Sequence, residues 1–271
     1  MTWRWTRPTE PDEREEVEAR CWVAGALGVW EQPDAIVAWF DAPTDAVPPG
    51  GQWSEELEQD WMAAWRTTVQ PLILGSFAIL PTWQADGWEP PPGIDHVLVL
   101  DQGHGFGTGH HATTAGCLEE VVRHTRAGMR VIDVGCGSAI LAIAAAMLGA
   151  TPVVAVDLDE EAVIAARRNV ADNGVDVDVR VGSFEVAGPP ADLVLANLLT
   201  DTIVALAKAL ADLTLPGGVL VVSGITEERR ERPLRALADA GMVLTSSRTQ
   251  DGWLVAVLSR PDDPSEGRGP A

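Results

Sequence analysis

The sequence predicts an α/β protein, a mostly parallel sheet covered by helices on both faces, preceded by a small α+β unit. Three observations carry this. From Arg130 onward, near-continuous apolar strands alternate with helical segments, the pattern of strands buried on both sides. Ten of the eleven tryptophans fall between Trp3 and Trp88 and there is no tyrosine, so the first part packs by different rules from the rest. The length of 271 residues exceeds what one small domain needs and fits one α/β domain with a modest companion.

The elements follow in order. Trp3-Arg4-Trp5 alternates like a half-buried strand, and residues 11–25 place acids before an apolar stripe that ends at Gly25, a helix. Val29-Trp30 and Ala35 to Phe40 read as two strands about a turn at Gln32-Pro33-Asp34. The stretch Val47-Pro48-Pro49-Gly50-Gly51 marks the end of this unit, and Trp53 to Trp65 reads as a linker helix with Leu57, Trp61, Ala64 and Trp65 on one face. Glu89 to Gly93 is a rigid proline-rich loop. Then come a strand at Val131–Val134, a helix at 138–148, a strand at Val153–Asp157, and a helix from Glu160 to Asp172 capped by Asn173-Gly174. Strands at Val177–Val181 and 192–196, a helix at 200–213 and a strand at Val219–Val222 continue the alternation. A helix over Glu227–Ala240, shortened by Pro233, precedes the strand Trp253–Leu258 that closes the sheet.

Composition narrows the function classes. Nineteen Lys and Arg stand against forty Asp and Glu, a net charge of −21, which repels nucleic-acid phosphates and anionic lipid and draws basic partners. Cys21, Cys117 and Cys136 form no CxxC pair, which argues against a disulfide framework or zinc module and for a reducing compartment. No apolar run reaches the roughly 18 residues of a membrane span, and MTWRWTRPTEPDEREE lacks a signal peptide's apolar stretch. A cytoplasmic protein is expected.

The first βα turn carries Asp133-Val134-Gly135-Cys136-Gly137-Ser138-Ala139. Gly135 and Gly137 let the chain turn tightly at the sheet's carboxyl edge and let a ligand approach the backbone. Asp157 follows Gly135 by 22 positions, at the end of the next strand, where nucleotide-binding folds place an acid for ribose hydroxyls. The third glycine of GxGxxG is replaced by Ile140, and no GxxxxGK[ST] occurs, so pyrophosphate and NTP cradles are unsupported. Asp133 complements an ammonium or sulfonium group while Asp157 takes the ribose. That charge distribution fits S-adenosylmethionine better than NAD.

Upstream lies Gly103-His104-Gly105-Phe106-Gly107-Thr108-Gly109-His110-His111, followed by Thr113-Thr114. Two adjacent histidines without a third ligand at suitable spacing do not make a metal site, so no metal is expected. The alternative is a loop folding over a ligand, with either threonine capping the next helix. At the end of the fourth strand, Asn197 has the chemistry to accept a hydrogen bond from a reacting amine, or it simply ends the strand.

These segments together (Phe106-Gly107-Thr108-Gly109-His110-His111 with Thr113-Thr114, DVGCGSAILAIAA, Asp157-Leu158-Asp159 and Ala196-Asn197-Leu198) resemble the bacterial methyltransferases of ribosomal protein L11. The resemblance reaches into the first part through Asp60-Trp61-Met62-Ala63-Ala64-Trp65-Arg66 and Pro71. It implies a seven-stranded Rossmann-like methyltransferase sheet with a small N-terminal α+β domain that recognises the substrate. The expected boundaries are 1–51 for recognition, 52–66 for the linker helix, 67–260 for the methyltransferase domain and 261–271 for a disordered tail. It also implies that S-adenosylmethionine methylates lysine side chains and the N-terminal amine of a protein. Thr114, Gly135, Asp157 and Asn197 would take the cofactor-binding places, with Phe106 against the same pocket and Asn197 as the catalytic candidate. Ala139 stands where the family has glycine. A monomeric enzyme with a basic protein partner, ribosomal protein L11, is expected, without direct nucleic-acid or membrane binding. A related methyltransferase with another protein or small-molecule substrate, or a cofactor-binding protein without turnover, are the alternatives.

Overall fold

The computed structural model describes residues 2–10, 13–32, 34–56, 70–101 and 112–262. The chain divides into two compact units, Met1–Gln70 and Pro71–Ala271.

The first unit is an antiparallel sheet with one helix. Its elements are β1 (Thr2–Pro8), α1 (Arg14–Val23), β2 (Gly28–Gln32), β3 (Ala35–Phe40) and β4 (Gln52–Glu56), with sheet order β2-β3-β1-β4. Val17 and Cys21 of α1 share a core with Trp5, Ile36, Ala38 and Phe40. The strand β4 corrects the expected linker helix. Residues 52–56 pair with β1, Trp5 facing Trp53 across the ladder, and the Trp53 ring meets Phe40 edge-on at 5.1 Å. A cross-strand aromatic pair on a period-two strand outweighs the helical spacing that begins at the same tryptophan. Pro49-Gly50 is thus a turn into β4 and not the end of the unit, whose boundary moves from 51 to Gln70. The remainder of the expected helix, 57–66, lies outside the described residues, as does the tail beyond residue 262.

The second unit opens with three strands that the sequence reading missed: β5 (Leu72–Leu74), β6 (Phe77–Pro81) and β7 (His96–Leu100). They form a small separate sheet in the order β5-β6-β7. Glu89 to Gly93 falls in the irregular connection between β6 and β7. The main sheet and its helices follow: α2 (Ala112–His124), β8 (Val131–Val134), α3 (Ile140–Met147), β9 (Val153–Asp157), α4 (Glu160–Asp172), β10 (Asp178–Val181), β11 (Ala191–Asn197), α5 (Thr200–Leu213), β12 (Thr214–Thr226), α6 (Glu231–Asp239), β13 (Val243–Gln250) and β14 (Trp253–Ser259). The strand order is β10-β9-β8-β11-β12-β14-β13. The five strands from β10 to β12 run parallel, and β14 is antiparallel to both β12 and β13.

Seven strands match the expected number, but β14 does not close the sheet. It is an inner strand, and β13 forms the edge. The helix expected over Glu227–Ala240 is split into a 3-10 turn at Glu227–Arg229 and α6, with Pro233 in the first turn of α6, where its missing N–H breaks no helical bond.

Alternation along the strands builds two cores. Val131, Val153, Ala155, Leu193 and Leu195 pack with α2, α3 and the small sheet, while Ile132, Val134, Val154, Val156, Val194 and Ala196 pack with α5 and α6. Period two therefore puts Asp133 and Asn197 on the α2/α3 face of the sheet. Asp133 pairs in register with Leu195, and Asn197 lies two residues further along the same strand.

Candidate functional site

The chain runs from β8 outward to β9 and β10, then crosses back to place β11 on the other side of β8. Strand order thus reverses at the β8–β11 boundary. Ligands in such sheets bind at the carboxyl edge of that switch point. Asp133, Gly135, Gly137, Asp157 and Asn197 all lie along this edge.

The turn after β8 is built by backbone conformations that side chains disfavour. Gly135, Gly137 and Ala139 have φ of 69°, 52° and 61°. The Gly135 and Cys136 N–H groups donate to the Val156 carbonyl at 2.9 and 3.0 Å, and the Gly137 N–H donates to Asp157 Oδ2 at 2.8 Å. Asp157 Oδ1 accepts the Asp159 N–H at 3.0 Å. The ribose-type acid and the glycine turn are therefore a single hydrogen-bonded unit, and the half-buried Asp157 carboxylate retains further lone pairs.

Asp133 is 1% exposed, and its Oδ2 accepts the Ala142 N–H of α3 at 3.2 Å. Burial raises its pKa from 3.8 to about 7; the charge of Asp157 pushes the same way, while the Ala142 bond opposes it. Asn197 donates from Nδ2 to Thr113 Oγ1 at 3.2 Å and to Thr114 Oγ1 at 3.5 Å. Both threonines lie inside the first turn of α2 and are buried, so neither is the helix cap that the sequence suggested; their hydroxyls orient Asn197 instead. Phe106 and its histidine-glycine segment lie outside the described residues.

The roles of two residues at this edge escaped the sequence reading. Leu198 packs directly over Gly135, and Asn169 of α4 reaches the glycine turn from behind. The Asn169/Asn173 spacing on one helix face was a signal, but only the cap role of Asn173 was read from it. Among the described residues, no group of three or more His, Cys, Asp or Glu is placed to hold a metal, and no helix is long and apolar enough to cross a membrane. An apolar groove of about 340 Å³ lined by Leu74, Phe77, Leu118 and Val122 lies elsewhere, and none of the edge residues borders it.

Among the described residues, the ends of β8, β9 and β11 and the turns that follow carry carboxylates, an amide and glycines, with no Lys or Arg. An acceptor-rich edge without cations suits a ligand that is a ribonucleoside and a cation, and it offers no side-chain cation to a phosphate. Fold and edge together define an S-adenosylmethionine-dependent methyltransferase. The profile of the ribosomal protein L11 methyltransferase family (PrmA) matches residues 12–261, and the chain belongs to that family. Ribosomal protein L11 methyltransferase of Thermus thermophilus is 37% identical over 238 residues, 87% of this chain and 91% of the relative. That of Symbiobacterium thermophilum is 40% identical over 216 residues, 79% of this chain and 69% of the relative. The solved structure of ribosomal protein L11 methylase from Lactobacillus delbrueckii subsp. bulgaricus is similar at 29% identity and a TM-score of 0.65, covering 71% of this chain and 98% of that one.

Proposed function

We propose that the chain methylates lysine side-chain and N-terminal amines of ribosomal protein L11, with Asn197 orienting the amine and the β8–β9 edge holding the cofactor. When bound, S-adenosylmethionine supplies an electrophilic methyl group on a sulfonium. Asp157 takes the ribose hydroxyls, Gly135 and Gly137 admit the ligand to the backbone, and Asp133 balances its positive charge. Thr114 supports Asn197 from behind.

The observation that carries this reading is the orientation of Asn197. Its amide nitrogen is committed to Thr113 and Thr114, which leaves Oδ1 to accept from an incoming amine. A lysine of ordinary pKa about 10.4 must reach the site neutral, and desolvation at a strand edge favours the neutral form. A single fixed acceptor then aims the nitrogen lone pair, and alignment is the main demand of an in-line displacement. The net charge of −21 favours a basic protein as the partner.

The test is direct. Purified protein, labelled cofactor and ribosomal protein L11 are incubated, and the product is mapped by mass spectrometry. Methyl groups on lysine and N-terminal amines are expected. Asn197→Ala should lower kcat by about 100-fold or more, the usual scale for losing an orienting group, while cofactor affinity changes less. An unmodified target would sink the substrate assignment.

A further inference from the structure

We infer that Asn169 is a positioning residue for the cofactor turn, tying the Ser138 carbonyl to the exit of β7 across the interior of the second unit. The inference rests on reading the glycine turn as the S-adenosylmethionine site. Asn169 is completely buried on α4. Its Nδ2 donates to the Ser138 carbonyl at 3.0 Å, and its Oδ1 accepts the Asp101 N–H at 2.9 Å. One side chain thus joins three segments that are remote in sequence: α4, the turn between Gly137 and Ala139, and the residue that follows β7.

A buried amide on a helix face is costly unless both ends are paired, and an apolar residue would pack there without that cost. The turn it reaches lies beyond the β8 ladder, whose last paired residue is Val134. Three of its five residues from Gly135 to Ala139 have left-handed φ. It is held by separate bonds: to Val156 and Asp157 on one side, and to Asn169 on the other. Asp157 fixes the Cys136–Gly137 peptide and Asn169 fixes the Ser138–Ala139 peptide, on either side of the peptide that joins Gly137 to Ser138. Together they set the shape that the ligand meets.

Asn173, the C-cap one turn beyond Asn169, shows what fold stapling alone looks like. Its Oδ1 accepts the Val99 N–H at 2.8 Å and its Nδ2 donates to the Val99 carbonyl at 2.6 Å, so it acts as a strand partner for β7. It makes no bond to the glycine turn; its side chain's link toward Asn169 is a second Nδ2 bond, to the Asn169 backbone carbonyl at 2.7 Å, which leaves the Asn169 side chain untouched. The two asparagines therefore separate the roles within one helix.

The experiment compares Asn169→Leu, near-isosteric and unable to make either bond, with Asn173→Leu. Cofactor affinity is read by calorimetry with S-adenosylmethionine, and fold by circular dichroism and thermal melting. Asn169→Leu should raise the cofactor Kd about 3- to 10-fold, the range of one hydrogen bond, with kcat at saturating cofactor nearly unchanged. Asn173→Leu should lose thermal stability yet keep Kd within twofold. An unchanged Kd in folded Asn169→Leu, or an equal rise in Asn173→Leu, overturns the inference. Asp157→Ala serves as the reference: if it too leaves Kd unchanged, the cofactor-site reading itself has failed, and if it alone raises Kd, only the role of Asn169 has. Should Asn169→Leu not fold, amide hydrogen exchange on the wild-type protein decides. Cofactor should slow exchange at Asp101 together with Gly137, and an unaltered Asp101 overturns the inference.

Discussion

Leu198 lies so close over Gly135 that a Cβ on the glycine would stand 2.2 Å from Leu198 Cδ2. The backbone of Leu198 is pinned as well. Its N–H donates to the Ser223 carbonyl at 3.1 Å, and a Cβ on Gly224 would meet its carbonyl oxygen at 2.2 Å. A leucine clamped between two glycines fixes the residue before it, Asn197, relative to the glycine turn. The candidate catalytic amide and the candidate cofactor turn are thus held in register by packing as well as by hydrogen bonds.

Gly135→Ala therefore carries two costs. A side chain at φ 69° costs about 1–2 kcal/mol, and forcing Leu198 aside adds about 1–3 kcal/mol. The variant should lose about 2–5 kcal/mol in denaturant unfolding. Adding Leu198→Ala removes the obstacle, so the double variant should be more stable than the sum of the two single losses. Simple additivity would show that Leu198 is not the source of the constraint.

Ala139 poses the opposite question, because a residue with a side chain already occupies φ 61° there. Ala139→Gly relieves about 1–2 kcal/mol of backbone strain. It also loses a fully buried methyl worth about 0.8 kcal/mol, and the freer unfolded chain costs a further 0.4–1 kcal/mol, roughly. The terms nearly cancel, and the melting temperature should move by no more than about 4 °C. A larger fall would mean that the methyl fills a tighter space than its burial indicates.

The edge residues Asp133, Gly135, Gly137, Asp157 and Asn197 were legible because each stands at or just after the end of a continuous apolar strand, where glycine or a polar residue interrupts the run. What periodicity could not see was partnership. Strand β13 went unread because it is a largely exposed edge, Val243-Leu244-Thr245-Ser246-Ser247, whose pairing with β14 depends on tertiary context. The strands β5 to β7 were lost among prolines and glycines that mark turns. Asn169 looked like one more polar residue on a helix, and only the fold reveals that it faces inward to two backbone groups. Trp53 was misread because a short strand and the first turn of an amphipathic helix begin alike; the deciding neighbours, Trp5 and Phe40, are distant in sequence.

Asp157→Ala should weaken S-adenosylmethionine binding by 10-fold or more. Hydrogen bonds to a charged acceptor contribute about 1.5–3 kcal/mol each, and the carboxylate also holds the Gly137 and Asp159 amides in place. Calorimetry gives the dissociation constant, with circular dichroism as the fold control. Equal affinity in a folded variant would remove Asp157 from the site.

The first unit has its own buried core around Trp5, Ile36 and Phe40, and it contains none of the edge residues. A chain starting at Pro71 should therefore fold, bind S-adenosylmethionine normally and fail to methylate intact ribosomal protein L11. The cut belongs there and not near Gln52, because β4 completes the first sheet. Methylation at the full rate by the truncated chain would show that recognition lies elsewhere.

Asp133 gives the protein a pH dependence of definite sign. Its carboxyl titrates near 3.8 when solvated and near 7 in the fold, chiefly because it is desolvated. Between those values the native state keeps a proton that the unfolded chain has released, so stability falls as pH rises through that window and levels off above about 7. The groups that face it are Asp157, whose charge raises its pKa further, and the buried thiols of Cys117 and Cys136, both held protonated, mainly by burial. Asp133→Asn cannot ionise and should gain on the wild type steadily from pH 4 to pH 7. A cationic ligand reverses the preference, because it selects the charged carboxylate. Cofactor binding at pH 6 should therefore release a proton, visible as a dependence of the calorimetric heat on the buffer's ionisation enthalpy, and affinity should tighten from pH 6 to pH 8 in the wild type but not in Asp133→Asn. Buffer-independent heat at pH 6 would mean that Asp133 keeps its proton in the complex and does not answer the ligand's charge.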